Sequence, residues 1–149
     1  MRKILLICAM CFVAMSGMAD ERVIAKVTTK GWVLANQIEV CAMEDPDIKG
    51  ITIFYTKTVK KGMIYDEYGT DSSIAVRQTG AISGTIASRD NVFATSSNLF
   101  FKTLRINRYY DQASNSLIYL IFTKATDGQN NAHSISVVSL NIANIKAEN

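Results

Sequence analysis

Side-chain character alternates with a period of two in several stretches of this sequence, and not with the longer period of a helix. Residues 38–43, 51–56 and 74–77 follow this pattern and are rich in β-branched and aromatic side chains, which favour strands. Pro46, the only proline, lies between the first two stretches, and Gly50 follows it. Because proline cannot donate a ladder hydrogen bond, we expect a turn at this point.

A hairpin is the clearest element of the second half. Residues 99–110 predict a long strand, and the polar residues 111–116 predict the turn after it. Residues 117–123 then read Leu-Ile-Tyr-Leu-Ile-Phe-Thr, an apolar run with almost no polar break. Such a run indicates a strand that is covered on both faces near the centre of the fold. A last strand is expected at residues 133–140.

The stretch 80–98 is the least regular, since Gly, Ser, Thr and Asn are frequent in it. It predicts either a short strand around Ile86 or Val92–Phe93, or a long irregular loop. About seven strands with short polar connections and no convincing helix indicate a mainly β fold. We expect an antiparallel sandwich or barrel-like single domain, with an α+β fold as the alternative.

The N-terminus has the three parts of a cleavable secretory signal peptide. Arg2 and Lys3 are positively charged, residues 4–15 are apolar and uncharged, and residues 16–19 supply small side chains for cleavage before Asp20. We therefore predict a signal peptide at residues 1–19, a single mature domain at residues 20–149 and a location outside the cytoplasm.

Two other fates of this N-terminal segment are less favoured. A membrane-spanning helix needs about 20 apolar residues, with roughly 17 as a minimum, and this run is shorter. A lipoprotein signal needs a small residue directly before the acylated cysteine, whereas Ile7 precedes Cys8 and Met10 precedes Cys11. The mature protein is therefore not expected to span a membrane.

Cleavage changes the charge and the cysteine content. The full sequence has 16 Lys and Arg against 13 Asp and Glu, and the loss of Arg2 and Lys3 leaves a net charge of +1. A nucleic-acid-binding protein usually has a strongly basic face, so this class is excluded. Cys41 is the one cysteine after residue 19 and cannot form an intrachain disulfide. We expect it half-buried in a strand, with a reactive thiol as the alternative.

The sequence contains no catalytic motif. His133 is the only histidine, and no G-x-S-x-G nucleophile motif occurs. Cys41 and His133 together supply at most two nitrogen or sulfur ligands, which disfavours zinc. No catalytic residue, cofactor or metal is therefore predicted, and a non-enzymatic role is expected.

Carboxylates support one alternative, a hydrolase or metal-assisted enzyme that uses acidic loops. Two clusters could supply oxygen ligands, for example to calcium. They comprise Glu44, Asp45 and Asp47 in one turn, and Asp66, Glu67 and Asp71 in another loop. Neither cluster has the spacing of an EF-hand, and acidic turns are ordinarily solvated.

The end of the long strand, residues 105–111, mixes two arginines with two tyrosines. Both residue types are favoured at protein interfaces. The other interpretation is that Arg108 pairs with an acid such as Asp111 while the tyrosines line the edge of the core. The candidate contact residues for a partner protein or small ligand are Asp45, Asp47, Arg105, Arg108, Tyr109 and Asp111.

Three stretches, residues 39–52, 71–80 and 99–120, resemble the CreA family of small exported bacterial proteins. The resemblance covers nearly the whole mature domain in the same order and implies a periplasmic location, with no known activity to transfer. Some members carry cysteines where Ile53 and Val76 stand here, so the resemblance implies that these two residues lie on neighbouring strands. Residues that match the family pattern are Asp45, Pro46, Asp47, Gln78, Gly80, Lys102, Arg108, Tyr109 and Asp111.

Overall fold

The computed structural model describes residues 20–30, 36–60, 67–68, 72–96, 102–125 and 132–140. These residues form antiparallel strands and no helix, which confirms the predicted mainly β fold over the α+β alternative. No helix that is long and apolar enough to cross a membrane occurs among them. The strands are β1 (Arg22–Lys30), β2 (Asn36–Glu44), β3 (Ile48–Lys60), β4 (Glu67–Tyr68), β5 (Ile74–Gly84), β6 (Arg89–Ser96), β7 (Lys102–Asp111), β8 (Ser116–Ala125) and β9 (His133–Ser139).

The strands form two sheets, and pairing between sequence neighbours dominates both. In the first sheet, β1, β2 and β3 pair in order, and the other edge of the long strand β3 pairs with β5 and with the short β4. The second sheet is the meander β6–β7–β8–β9. Such short connections between antiparallel neighbours are what hairpin turns allow.

The two sheets enclose one core between their inner faces. Ile51, Ile53 and Tyr55 of β3 and Tyr119 of β8 are buried there together. The Tyr55 ring also meets Phe93 of the second sheet, with centroids 5.4 Å apart. Because side chains alternate between the two faces of a strand, the period-two pattern of the sequence becomes one buried face per strand. The fold is therefore a two-layer antiparallel sandwich.

Ile53 and Val76 are direct cross-strand partners in the pairing of β3 with β5. Both side chains are buried in the core. The expectation that they lie on neighbouring strands is therefore confirmed. Burial of side chains of this size stabilises the fold by about 1.5–3 kcal/mol each, so packing holds these strands at this point.

Several details differ from the sequence expectations. The described residues contain nine strands rather than about seven, because β1 and the two-residue β4 were not expected. Of the two alternatives for residues 80–98, the short strand around Val92–Phe93 is present as β6. Cys41 is fully buried rather than half-buried. Strand β8 is central in its sheet, but its outward side chains are half-buried and not fully covered as predicted. Residues 99–101 of the predicted long strand lie outside the described residues.

Candidate functional site

A buried ion cluster joins the two sheets. Arg108 of β7 is 1% exposed, and its Nη1 donates to both carboxylate oxygens of Asp45, at 2.5 and 2.7 Å. Its Nη2 donates to Oδ2 of Asp47 at 2.9 Å, and its Nε donates to the carbonyl oxygen of Ala87 at 2.8 Å. The guanidinium thus links the turn between β2 and β3 to the second sheet.

The turn itself presents Asp45. Its Oδ1 accepts the backbone N–H groups of Asp47 and Ile48 at 2.9 and 3.0 Å, the arrangement of an Asx turn around Pro46. Its Oδ2 accepts the hydroxyl of Tyr119 at 2.6 Å. Both oxygens of the Asp45 carboxylate therefore accept more than one hydrogen bond, which is what a fully buried carboxylate requires.

The charges of the cluster are matched internally. Arg89 donates a hydrogen bond to Asp47, and this bond lowers the pKa of Asp47. Burial acts in the opposite direction but is outweighed, because Arg108 also donates to Asp47. Burial opposes the charge of Arg108, but Asp45 and Asp47 more than offset this and raise its pKa. Burial, reinforced by Asp45, raises the pKa of Tyr119. At neutral pH these groups hold fixed protonation states, so the arrangement suits a structural joint better than proton transfer.

The interpretation that Arg108 pairs with an acid is therefore confirmed, but its partners are Asp45 and Asp47 and not Asp111, the example suggested by the sequence. The strand alternation directs Arg108 into the core, where it meets Asp45, whereas Asp111 lies at the end of β7 on the other face. Asp111 instead accepts the Ala113 N–H and the Ser114 hydroxyl in the β7–β8 turn, and these bonds lower its pKa.

A second buried charge cluster was not anticipated from the sequence. Lys57 is buried and donates to Glu21 at 2.5 Å, while Glu39 lies 3.6 Å from the same ammonium. The Tyr55 hydroxyl also donates to Glu21, at 2.6 Å, and Lys26 pairs with Glu39 at 2.7 Å. The period-two alternation of the sequence could have indicated this cluster, because it places Glu39 and Lys57 on the core-facing side of β2 and β3.

The Cys41 thiol belongs to this second cluster. Burial, together with its hydrogen bond to Glu21, raises the pKa of Cys41 to about 12. Since the thiolate is the nucleophilic form, this environment favours the structural interpretation of Cys41 over the reactive one.

The outer face of the second sheet gathers the other candidate residues. Arg105, Tyr109 and Asp111 all lie on the outward side of β7, opposite the outward residues of β8. We call the surface that they share with β8 and β9 the β7–β9 face. It consists of Arg105, Asn107, Tyr109, Asp111, Ile118, Leu120, Phe122, Lys124, His133, Ile135 and Val137.

The centre of the β7–β9 face is apolar and open. Ile135 is 61% exposed, Val137 is 53% exposed and Tyr109 is 40% exposed. Ile118 and Leu120 on the adjacent strand are half-buried beside them. Sequence analysis found the tyrosine and the arginine but missed the aliphatic part, because the apolar run of β8 was expected to be covered.

A polar ridge lies along β7 next to this apolar centre. Asn107 donates to Asp90 at 2.8 Å and to the Tyr109 hydroxyl at 2.9 Å, and it accepts the Asn91 N–H at 3.0 Å. Arg105 donates through Nη1 to Asn91 at 3.2 Å, while its Nε is buried with no hydrogen-bond partner in the described part of the chain. The ridge fixes the side chains that border the apolar centre.

The described carboxylates of the acidic loops have partners within the molecule. Asp45 and Asp47 are committed to Arg108 and Arg89, and Glu44 accepts the Thr52 hydroxyl at 2.7 Å. Within the described ranges, no three His, Cys, Asp or Glu side chains are close enough to hold a metal ion. Of the second predicted cluster, Asp66 and Asp71 lie outside the described residues.

These features define a class of protein, an antiparallel β-sandwich with an ion-paired joint between its sheets and one open apolar outer face. The family model described as CreA protein matches residues 24–143. The chain therefore belongs to the CreA family, which confirms the resemblance seen in the sequence.

The relatives found by comparison carry the same family name. Protein CreA of Escherichia coli strain K12 is 33% identical over 104 residues, and the proteins of strains O6:H1 and O157:H7 match equally well. The aligned region covers 62% of this chain and spans 66% of the length of each relative. No solved structure matches the chain significantly.

Proposed function

We propose that this CreA-family protein is an exported, non-enzymatic binding module of the periplasm, and that the β7–β9 face is its binding surface. The observation that carries the proposal is the continuous apolar centre of this face, with Tyr109, Ile135 and Val137 exposed on a rigid sheet. Contiguous exposed apolar patches of this kind mark interaction sites on soluble domains.

The composition of the face supports this role. Tyr109 and Arg105 are of the residue types that contribute most to binding energy at interfaces, and both border the apolar centre. Apolar anchors surrounded by directed polar groups are the usual anatomy of a binding surface.

The non-enzymatic part of the proposal rests on how the buried groups are used. Arg108 and Asp45 neutralise each other inside the molecule, and the Cys41 thiol is held protonated. The strongly perturbed groups are therefore engaged in holding the sandwich together, while the open surface carries side chains suited to contact.

A matched pair of variants tests the binding surface. Val137→Lys places a charge in the centre of the β7–β9 face, and Val27→Lys does the same on the distant edge strand β1, where Val27 is 54% exposed. From a cell-envelope extract, we expect the Val137→Lys variant to retain at least tenfold less of the molecules that bind the wild-type protein. The Val27→Lys variant should retain the same amount as the wild type. Quantitative mass spectrometry of retained proteins and metabolites measures this and shows whether they are recovered chemically unchanged.

Equal retention by both variants would remove the β7–β9 face as the binding surface. Conversion of a retained metabolite would contradict the non-enzymatic role. Export is tested separately, because N-terminal sequencing of the protein from the periplasm should begin at Asp20, and an intact Met1 would contradict the cleavable signal.

A further inference from the structure

We infer that the β7–β9 face is self-complementary and that its occupant is a second copy of this chain, related by a twofold axis in the plane of the interface. This inference rests on the proposed function, because it names the partner of the same surface. It is carried by the distribution of charge on the face, which is opposite at the two ends of an apolar centre.

The charges separate along the strands. Asp111 lies opposite Ser116 at one end of the face, and Lys124 lies eight residues further along β8 at the other. At about 3.4 Å per residue, the two charges are roughly 27 Å apart. Arg105 adds a second positive charge on the Lys124 side, because it is paired with Phe122.

The apolar residues lie midway between these ends. Leu120 is four residues from both Ser116 and Lys124, and it is paired with Ile135 across the β8–β9 ladder. If two copies stack face to face with their strands antiparallel, the twofold axis passes across this row. Leu120 and Ile135 then meet their own counterparts, as an isologous interface requires.

The same rotation brings opposite charges together. It places Lys124 of each copy against Asp111 of the other. Because the axis repeats this contact, the dimer contains two equivalent Lys124–Asp111 pairs. A twofold axis parallel to the strands would place Lys124 over Lys124, and the charges disfavour that packing. The face thus selects one dimer among the packings that would cover its apolar centre.

The size of the face limits the strength of this dimer. Three strands at about 4.8 Å spacing and about 25 Å length cover a footprint of roughly 360 Å². Stable protein interfaces bury about 800 Å² on each partner, so the area favours a reversible dimer over an obligate one. The dimer is then in equilibrium with the monomer, and the dimer fraction depends on protein concentration.

Charge reversal tests the inference with the purified protein. Sedimentation velocity over micromolar to near-millimolar concentrations should show a monomer–dimer equilibrium that weakens as salt increases. Lys124→Glu and Asp111→Lys should each weaken self-association on the order of tenfold, because each change makes both symmetric pairs repulsive. An equimolar mixture of these two variants should restore the dimer, since one is acidic at both ends and the other basic at both ends.

Control variants distinguish dimerisation through the β7–β9 face from dimerisation through another surface. Val137→Lys should abolish the dimer, Val27→Lys should leave it unchanged, and thermal melting should show that each variant is folded. A wild-type protein that stays monomeric, or a dimer lost with Val27→Lys and kept with Val137→Lys, would overturn the inference. If the protein is monomeric but Val137→Lys still loses an envelope partner, the dimer fails while the proposed function stands.

Discussion

At the scale of single residues, Arg108 shows how a charge can be buried when each of its nitrogens has a hydrogen-bond partner. Its three nitrogens are directed at Asp45, Asp47 and the Ala87 carbonyl. The sequence marks Arg108 as a candidate contact residue but cannot name its partner, because Asp45 lies 63 positions away in the chain. Local patterns predict which side of a strand a residue faces, whereas a pair between two sheets depends on how the sheets stack.

Replacement of Arg108 by Met should destabilise the protein by about 3–5 kcal/mol, because it leaves the Asp45 carboxylate buried without a counter-charge. Arg105→Met is the matched control on the same strand, and we expect a change of at most about 0.5 kcal/mol since this side chain borders solvent. Urea denaturation measures both free energies of unfolding. Similar losses for the two variants would contradict the structural role of Arg108.

Glu21 should make the stability of the protein sensitive to acid. Burial opposes its ionisation, but hydrogen bonds from Lys57, Tyr55 and Cys41 outweigh this and hold its pKa below the usual 4.5. A carboxyl with a lowered folded pKa stabilises the protein fully above its unfolded pKa, and this contribution is lost as pH falls through the folded pKa. Glu21→Gln should therefore be less stable at pH 7 and should lose less stability than the wild type below about pH 4.5.

Thermal unfolding of both proteins at a series of pH values checks this prediction. Asp47, whose pKa is also lowered, retains part of the acid dependence in the variant. An acid-induced loss in Glu21→Gln as large as that of the wild type would show that Glu21 does not contribute to it.

At the scale of strands and turns, the sequence predicted most elements because period-two alternation directly reflects one buried face. Strand β1 was missed because its side chains are exposed on both sides, so no face is selected. Strand β6 was predicted only as one of two possibilities for residues 80–98, since its pairing with β7 includes a register shift between Arg89 and Phe93. Irregular pairing weakens the alternation on which sequence analysis depends.

Gly50, in β3, is a residue whose backbone conformation requires glycine. It has φ of +80° at the irregularity in the β3–β5 pairing, and a Cβ there would overlap the carbonyl oxygen of Ala81. Gly50→Ala should therefore destabilise the protein by at least about 2 kcal/mol.

Gly80→Ala is the matched control, because a Cβ at that position meets the Gly50 Cα at an ordinary 3.6 Å. We expect its effect to lie within about 0.5 kcal/mol. Equilibrium denaturation of the two variants gives the comparison, and equal effects would mean that strand β3 tolerates a side chain at Gly50.

At the scale of the whole molecule, the six candidate contact residues fall into two groups with different roles. Asp45, Asp47 and Arg108 join the sheets from inside, while Arg105, Tyr109 and Asp111 border an open surface. The sequence placed all six in one set because residue type alone does not distinguish a buried ion pair from a contact surface. The alternation along β7 makes the distinction, since odd-numbered residues point outward and even-numbered ones inward.

The aliphatic part of the surface depends on the assembled sheet. Ile135 and Val137 belong to β9, and they become one patch with Ile118 and Leu120 only through the β8–β9 register. An apolar run such as that of β8 predicts burial, but the single chain leaves one of its faces half-covered. Because these apolar side chains remain partly exposed in the single chain, we assign a binding partner to this face.

The most direct test of this account is photo-crosslinking in living cells, with a photoreactive phenylalanine placed at Ile135. Arg77, exposed on the outward side of β5 in the other sheet, provides the control position. The account predicts covalent adducts from position 135 and few or none from position 77, with adducts at twice the chain mass for the proposed dimer. Equal labelling from both positions, or adducts from position 77 alone, would contradict the assignment of the β7–β9 face as the binding surface.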